Sequence, residues 1–211
     1  MKLGFFAIAC ILGLAMPVCC SAGTITLQFN ELPPTPVNGV SIDGVTFGYS
    51  GPDGATATYG ATAGVNVLTE NLTDPVLLGD TSGTLTLAFA APTTVLSFDI
   101  ALSTTNSITD GYQVALTDQS NPVSSQEFNL SPIVAYAEDV FSYSGAAIDF
   151  ATITFPNTVD SEDEAVVNFA IDNLTFDTSA SSTPEPGTVS LLGGGLLALG
   201  FCARRRVRNR A

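Results

Sequence analysis

The residues best placed to do chemistry are carboxylates. In the run from Phe169 to Phe176, Phe169 and Ile171 share one parity, Leu174 and Phe176 share the other, and the change falls on Asp172-Asn173. Side chains alternate between the two faces of a strand, so a one-residue change of phase is the mark of a β-bulge. Bulges re-aim side chains and sit at functional rims. An acid in an otherwise apolar strand needs a partner. Residues 23–183 contain no Lys, Arg or His, so that partner is an amide, a hydroxyl, a water or a cation. A second concentration of acids is Asp160, Glu162, Asp163 and Glu164. The spacing 160, 162, 164 matches the opening of an EF-hand loop. Ala165, however, stands where that loop needs Gly, and Ile171 stands where it needs the closing Glu. The run reads instead as a solvated acidic loop, with low-affinity Ca2+ binding as the lesser alternative.

What is missing excludes more than what is present suggests. The chain of 211 residues has a formal net charge of −14 and no His, and its 6 basic residues are Lys2, Arg204, Arg205, Arg206, Arg208 and Arg210. The stretch between residues 23 and 183 holds every acid except Glu185 and has no Cys, Met or Trp. A Ser/His/Asp triad, a thiolate nucleophile and a His/Cys zinc site are therefore excluded there. Nucleic-acid binding by counterion release is excluded as well. Carboxylates, hydroxyls, amides and Tyr remain. These suit hard cations such as Ca2+, sugars, or at most catalysis by a carboxylate pair, for which no spacing singles out two residues. The amphipathic aromatics available to a sugar platform are Tyr49, Tyr59, Tyr112, Tyr136 and Tyr143.

The elements that position these groups read as strands. Ile25, Leu27, Phe29; Val45, Phe47, Tyr49; Leu85, Leu87, Phe89; Leu96, Phe98, Ile100; and Tyr112, Val114, Leu116 alternate with polar residues. So do Ile148 with Phe150, Ile153 with Phe155, and Val167 with Phe169 and Ile171. That period of two is the signature of half-buried strands. Turn residues punctuate them at Gly51-Pro52-Asp53-Gly54, Asp80 to Gly83, Asp110-Gly111 and Asn121-Pro122. No helical period of useful length occurs. The expected fold is all-β, a two-sheet antiparallel sandwich of jelly-roll type over residues 23–179. Outward Thr residues such as Thr24, Thr26, Thr84 and Thr86 fit β propensity on a solvated face. A glycosylated surface is the other reading.

Both ends read as addresses. Residues 1–22 run from Lys2 through the apolar Leu3–Val18 to the small Ser21 and Ala22, the pattern of a secretory signal peptide and its helix. Its removal would take Cys10, Cys19 and Cys20, leaving the exported domain without a disulfide. Residues 180–183 read as a linker. Residues 184–211 carry Pro184-Glu185-Pro186, an apolar, Gly-rich segment from Gly187 to Ala203, and the Arg cluster. At about 1.5 Å per residue the segment reaches roughly 26 Å, the lower limit for a transmembrane helix. Arg204, Arg205, Arg206, Arg208 and Arg210 would hold its far end in the cytoplasm.

The order Pro184-Glu185-Pro186-Gly187-Thr188, a short Leu/Gly helix and a terminal Arg cluster resembles the PEP-CTERM sorting signal of exported bacterial proteins. The resemblance implies recognition by an exosortase, transient membrane anchoring, and display or release at an envelope rich in exopolysaccharide. A plain single-span anchor would leave the Pro-Glu-Pro without a role. More weakly, Phe29-Asn30-Glu31-Leu32-Pro33 with Asp172-Asn173-Leu174 resembles the first and last strands of galactose-binding-like jelly rolls found in carbohydrate-binding modules. That resemblance implies Glu31 and Asp172 as ligands of a structural Ca2+. On the residues alone, Asp172 bonded to its own turn and Glu31 in solvent fit equally. The expected function is a non-enzymatic cell-surface or matrix protein. The alternatives are a Ca2+-dependent carbohydrate-binding module and a carboxylate-based polysaccharide-degrading enzyme.

Overall fold

The computed structural model describes residues 23–64, 69–132, 136–157 and 166–178, all within one compact unit, Ala22–Ser179. The expected signal peptide, the acidic run at 160–164, the expected linker, the Pro-Glu-Pro motif, the apolar tail segment and the Arg cluster lie outside the described residues. Among the described residues there are strands and turns and no helix. In chain order the strands are β1 (Gly23–Leu27), β2 (Thr35–Pro36), β3 (Ser41–Ile42), β4 (Val45–Ser50), β5 (Ala57–Ala61) and β6 (Val76–Asp80). They continue with β7 (Thr84–Leu102), β8 (Ile108–Asp118), β9 (Asn121–Pro132), β10 (Ala137–Thr154) and β11 (Asn168–Thr178).

All the pairings are antiparallel, and two long strands, β7 and β10, serve both layers of a sandwich. The first half of β7 pairs with β4 from Ser50↔Thr84 to Val45↔Phe89 and with the second half of β10 from Ile153↔Leu85 to Phe150↔Ala88. The layer continues through β8 to β9. The second half of β7 pairs with the first half of β10, from Ala137↔Leu102 to Ser144↔Val95, and with β11 on its other side. This second layer runs on through β6 and β5 to β2. The change of layer coincides with Pro92 in β7 and with register shifts between Ser144, Ile148 and Phe150 in β10. Proline removes a ladder donor, and bulges bend a strand, so both devices sit where each strand must turn.

Apolar side chains from the two layers meet in one core. Phe47 of β4 packs edge-on to Tyr59 of β5 at 5.5 Å, Phe89 lies 5.4 Å from Phe176, and Phe128 of β9 meets Phe141 at 5.6 Å. The alternating residues of β4, β7 and β8 are buried as their pattern predicts. Three positions differ, the first being Ile25 of β1, which is only half-buried. The register shift after Ile148 turns Phe150 to half-buried and puts Ala151 on the core face, while Val167 precedes β11 and is 56% exposed.

Strand β11 is the centre of the second layer. Its first part, Asn168–Ile171, pairs with β6, and its second part, Leu174–Thr178, pairs with β1. Both neighbours lie on the side away from β7. Between them the ladder to β7 shifts register from Asp172↔Asp99 to Thr175↔Ser97, and Asn173 has φ 52°. The bulge expected at Asp172-Asn173 is there, at the point where one neighbouring strand gives way to another.

Candidate functional site

The gap between β6 and β1 leaves Asp172 without a ladder partner on one side, and the segment leading into β6 fills it. Asp172 is fully buried. Its Oδ2 accepts from the Thr73 N–H at 3.0 Å and from Thr73 Oγ1 at 3.2 Å, and its Oδ1 accepts from the Asn173 N–H at 2.7 Å. Asn173 Nδ2 donates to Asp99 Oδ2 at 2.7 Å and to the Asn71 carbonyl at 3.3 Å. Glu138 of β10, also buried, accepts from the backbone N–H of Glu70 at 3.0 Å and of Asn71 at 3.2 Å, and from Asn71 Nδ2 at 3.2 Å. Asp74 takes the N–H groups of Ala63 and Gly64, both at 2.9 Å. The loop 69–75 is thereby clamped over the outer face of the second layer. Leu72 is pressed beneath it into a small apolar cluster with Val76, Ala101 and Ala170. Because this cluster covers the back of β11, Ala170 and Asp172 are buried along with Phe169 and Ile171.

Electrostatics follow from this geometry. Burial pushes the Asp172 carboxyl above its ordinary range. The donors on Thr73 and Asn173 pull it back, and the facing Asp99 adds to the rise. Asp99 is raised by burial against the opposing pull of the Asn173 amide. Farther along β11, Asp177 behaves in the opposite way. Its partial burial acts upward, but hydroxyl donors on Thr93 and Thr94 and the N–H groups of Thr94 and Val95 outweigh it and hold the carboxyl at about 2.

Glu31 lies elsewhere in the network. It is exposed, and it accepts from the Gln28 N–H at 2.9 Å and from the Tyr59 hydroxyl at 2.6 Å. Burial, then this bond, raises the Tyr59 phenol. The residues holding Glu31 and those holding Asp172 have no member in common. Every carboxylate oxygen of the two already faces an N–H or O–H donor, and no group of three potential metal ligands occurs among the described residues. Of the two readings left open for Asp172, the hydrogen bond to its own turn is present, extended by Thr73 from across the gap.

Three of the five tyrosines belong to the core. Tyr49 is nearly buried, and Tyr59 and Tyr112 are fully so. Tyr49 donates to the Asp80 carbonyl at 2.5 Å and Tyr112 to Asp139 Oδ2 at 2.8 Å. Tyr136 and Tyr143 remain half-exposed. An open depression of about 420 Å³ lies between the turn 52–55, residues 80–82 and Val166–Val167. Asp53 and Asp80 line it, without an aromatic side chain, and Asp80 is engaged by the Thr56 N–H at 2.5 Å. Glu138 and Asp99 are the site residues that sequence reasoning passed over. Their spacing to Asp172 is not local, and only the parity of β10 and β7 relative to β11 could have put them on one face.

Fold and tail together define an all-β domain delivered by a C-terminal sorting signal. The signal matches the PEP-CTERM protein-sorting motif over residues 182–206, beginning two residues before Pro184 and taking in Arg204, Arg205 and Arg206 but not Arg208 or Arg210. Such a signal marks a secreted protein that is anchored transiently at its C-terminus. No curated protein matches the chain. Solved structures similar to it include the K1 cleaved adhesin domain of Lys-gingipain from Porphyromonas gingivalis W83, with 10% identity, 75% of this chain and 99% of that one covered, and a TM-score of 0.45. A family 29 carbohydrate-binding module from Piromyces equi has 11% identity, coverage of 77% and 95%, and a TM-score of 0.39. A family 11 carbohydrate-binding module from Clostridium thermocellum has 13%, 74% and 96%, and 0.34.

Proposed function

We propose that the chain is a non-enzymatic surface or matrix protein, exported, processed by an exosortase and displayed as an acidic β-sandwich in an envelope rich in exopolysaccharide. The observation that carries this reading is the sorting motif at 182–206, placed behind a domain that has no basic side chain between residues 23 and 183. Two further features support it. The acids brought face to face, Asp99 and Asp172, lie beneath a clamped loop rather than across a cleft, and Asp172 has no exposed surface to offer a substrate. Exposed acids such as Glu31, Glu127 and Asp110 give the domain a surface that repels other polyanions unless divalent cations bridge them. Cell fractionation tests the reading. Replacing Pro184, Glu185 and Pro186 with Ala is expected to block tail removal and leave the protein in the membrane fraction; unchanged processing and location would overturn it.

Sugar binding by the domain is the second reading, for which half-exposed Tyr136 and Tyr143 are the available stacking surfaces. A glycan array probed with Ca2+ and with chelator decides it: silence under both conditions removes the idea, and signal lost on chelation gives Ca2+ a role in the binding.

A further inference from the structure

The chain contains three Asn-x-Ser/Thr triplets within its described residues: Asn71-Leu72-Thr73, Asn129-Leu130-Ser131 and Asn173-Leu174-Thr175. In an exported chain this triplet is an acceptor for N-linked sugar, provided the side chain can stand in solvent. The fold separates the three sharply. Asn71 Nδ2 donates to Glu138, and Asn173 Nδ2 donates to Asp99 and to the Asn71 carbonyl. Both amides therefore hold the clamp over loop 69–75, and a sugar on either nitrogen would have to replace those bonds inside a part-buried network.

Asn129 differs on each count. It lies on β9, where Phe128 and Leu130 turn to the core and Asn129, Glu127 and Ser131 are exposed on the opposite face. Its Oδ1 accepts from the Asp110 N–H at 2.8 Å, which fixes the amide plane. Its Nδ2 donates to no group among the described residues. Asp110 reaches it because β8 is irregular between Ile108 and Tyr112, with Asp110 at φ 52°. The amide is thus held with its oxygen toward the sheet and its nitrogen toward solvent.

The same strand has a need that a sugar would meet. Along residues 121–130, β9 pairs with β8 alone, and its other side is an open edge; only Ser131 and Pro132 find a second partner in β10. Open edges recruit foreign strands, and proteins commonly guard them with Lys or Pro. This domain has no Lys, and the one Pro of β9 before its last residue stands at its beginning, Pro122.

We propose that Asn129 is an N-glycosylation site whose glycan shields the open edge of β9. The donor class is a lipid-linked sugar diphosphate presented on the outer face of the export membrane. Asn129 Nδ2 forms the bond to the anomeric carbon, the carbon–oxygen bond to the diphosphate breaks and its electron pair leaves with the diphosphate, and one amide proton passes to a base of the transferase.

The test uses the full-length protein recovered from the cells that naturally export it. Proteolysis after Glu gives the peptide Phe128–Glu138, and mass spectrometry of it is expected to show a sugar on Asn129 that Asn129→Gln abolishes, while peptides bearing Asn71 and Asn173 stay unmodified. Asn129→Gln is expected to melt within a degree or two of the sugar-free wild type and to aggregate faster on stirring than the glycosylated protein. An unmodified Phe128–Glu138 peptide, or sugar on Asn71 or Asn173 in its place, overturns the proposal, as does sugar confined to Ser and Thr.

Discussion

Asp172 and Asp177 stand on the same strand, on either side of the place where β1 has taken over from β6, and their carboxyls move in opposite directions. Asp172 has three donors and no exposed surface, and it faces Asp99 across the ladder. Asp177 has more donors, partial exposure and no acid registered opposite it. Donor number does not decide the sign by itself. Desolvation outweighs three hydrogen bonds at Asp172, whereas at Asp177 the hydration lost is small enough for hydroxyls and amides to replace. Asp172 is accordingly a structural clamp that is costly to keep charged, and Asp177 an anion seat that favours its charge.

The largest effect expected from breaking this contrast is at Asp172→Ala. The Thr73 and Asn173 N–H groups would lose their acceptor in a part-buried setting, at a cost of about 1–3 kcal/mol, or roughly 2–12 °C in Tm for a domain of this size. Thermal unfolding followed by circular dichroism measures it. A drop of under a degree would mean that the clamp does not hold loop 69–75.

The contrast sharpens with pH. Asp177, depressed to about 2, contributes stability that is complete above the ordinary carboxyl value of 3.8 and is lost as pH falls from there through about 2. Asp99 and Asp172, raised, act with the opposite sign: they weaken the fold while charged, and that penalty is relieved as pH falls through their folded values toward 3.8. These three groups together place the best stability in mild acid. Asp177→Asn should cost about 1 kcal/mol at pH 7 and flatten the loss below pH 4, which urea unfolding across pH would show. The smallest effect is a gain. Asp99→Asn removes one of two like charges placed directly opposite each other and should stabilise the domain by about 0.5–1 kcal/mol at pH 7. The gain should shrink toward pH 4, and a gain that did not change with pH would assign the effect to packing instead.

The parity of Phe169, Ile171, Leu174 and Phe176 was enough to place the bulge, because a sheet with one buried face tolerates no slip of register. The same logic exposed β4, β8 and both halves of β7. It broke β7 in two, since nothing in a local pattern says that residues on either side of Pro92 continue one strand into another layer. Strand β9 went unread because its outward residues and its half-buried Ser124 leave little apolar alternation. Asn121-Pro122 reads as a turn, yet the turn is Gln119-Ser120, both at positive φ, and Asn121 already pairs with Asp118. Asp110-Gly111 likewise marks an irregularity inside β8 rather than its end. The site was half legible. Asp172 announced itself by interrupting an apolar strand, whereas Glu138 and Asp99 have ordinary surroundings in sequence and acquire their partners only through pairings that span much of the chain.

Strand β11 is the last strand of the domain, yet it lies in the interior of its layer, against β7 on one side and β6 and β1 on the other. The layer therefore has an empty slot until residues 168–178 dock into it. Gly23 pairs with Thr178, so the docking of β11 also joins the first and last described residues of the domain. Residue 182, where the sorting motif begins, follows at once. Only a few residues separate the strand that completes the sandwich from the start of the sorting signal, so a truncation that removes β11 with the tail would also take the centre of the second layer.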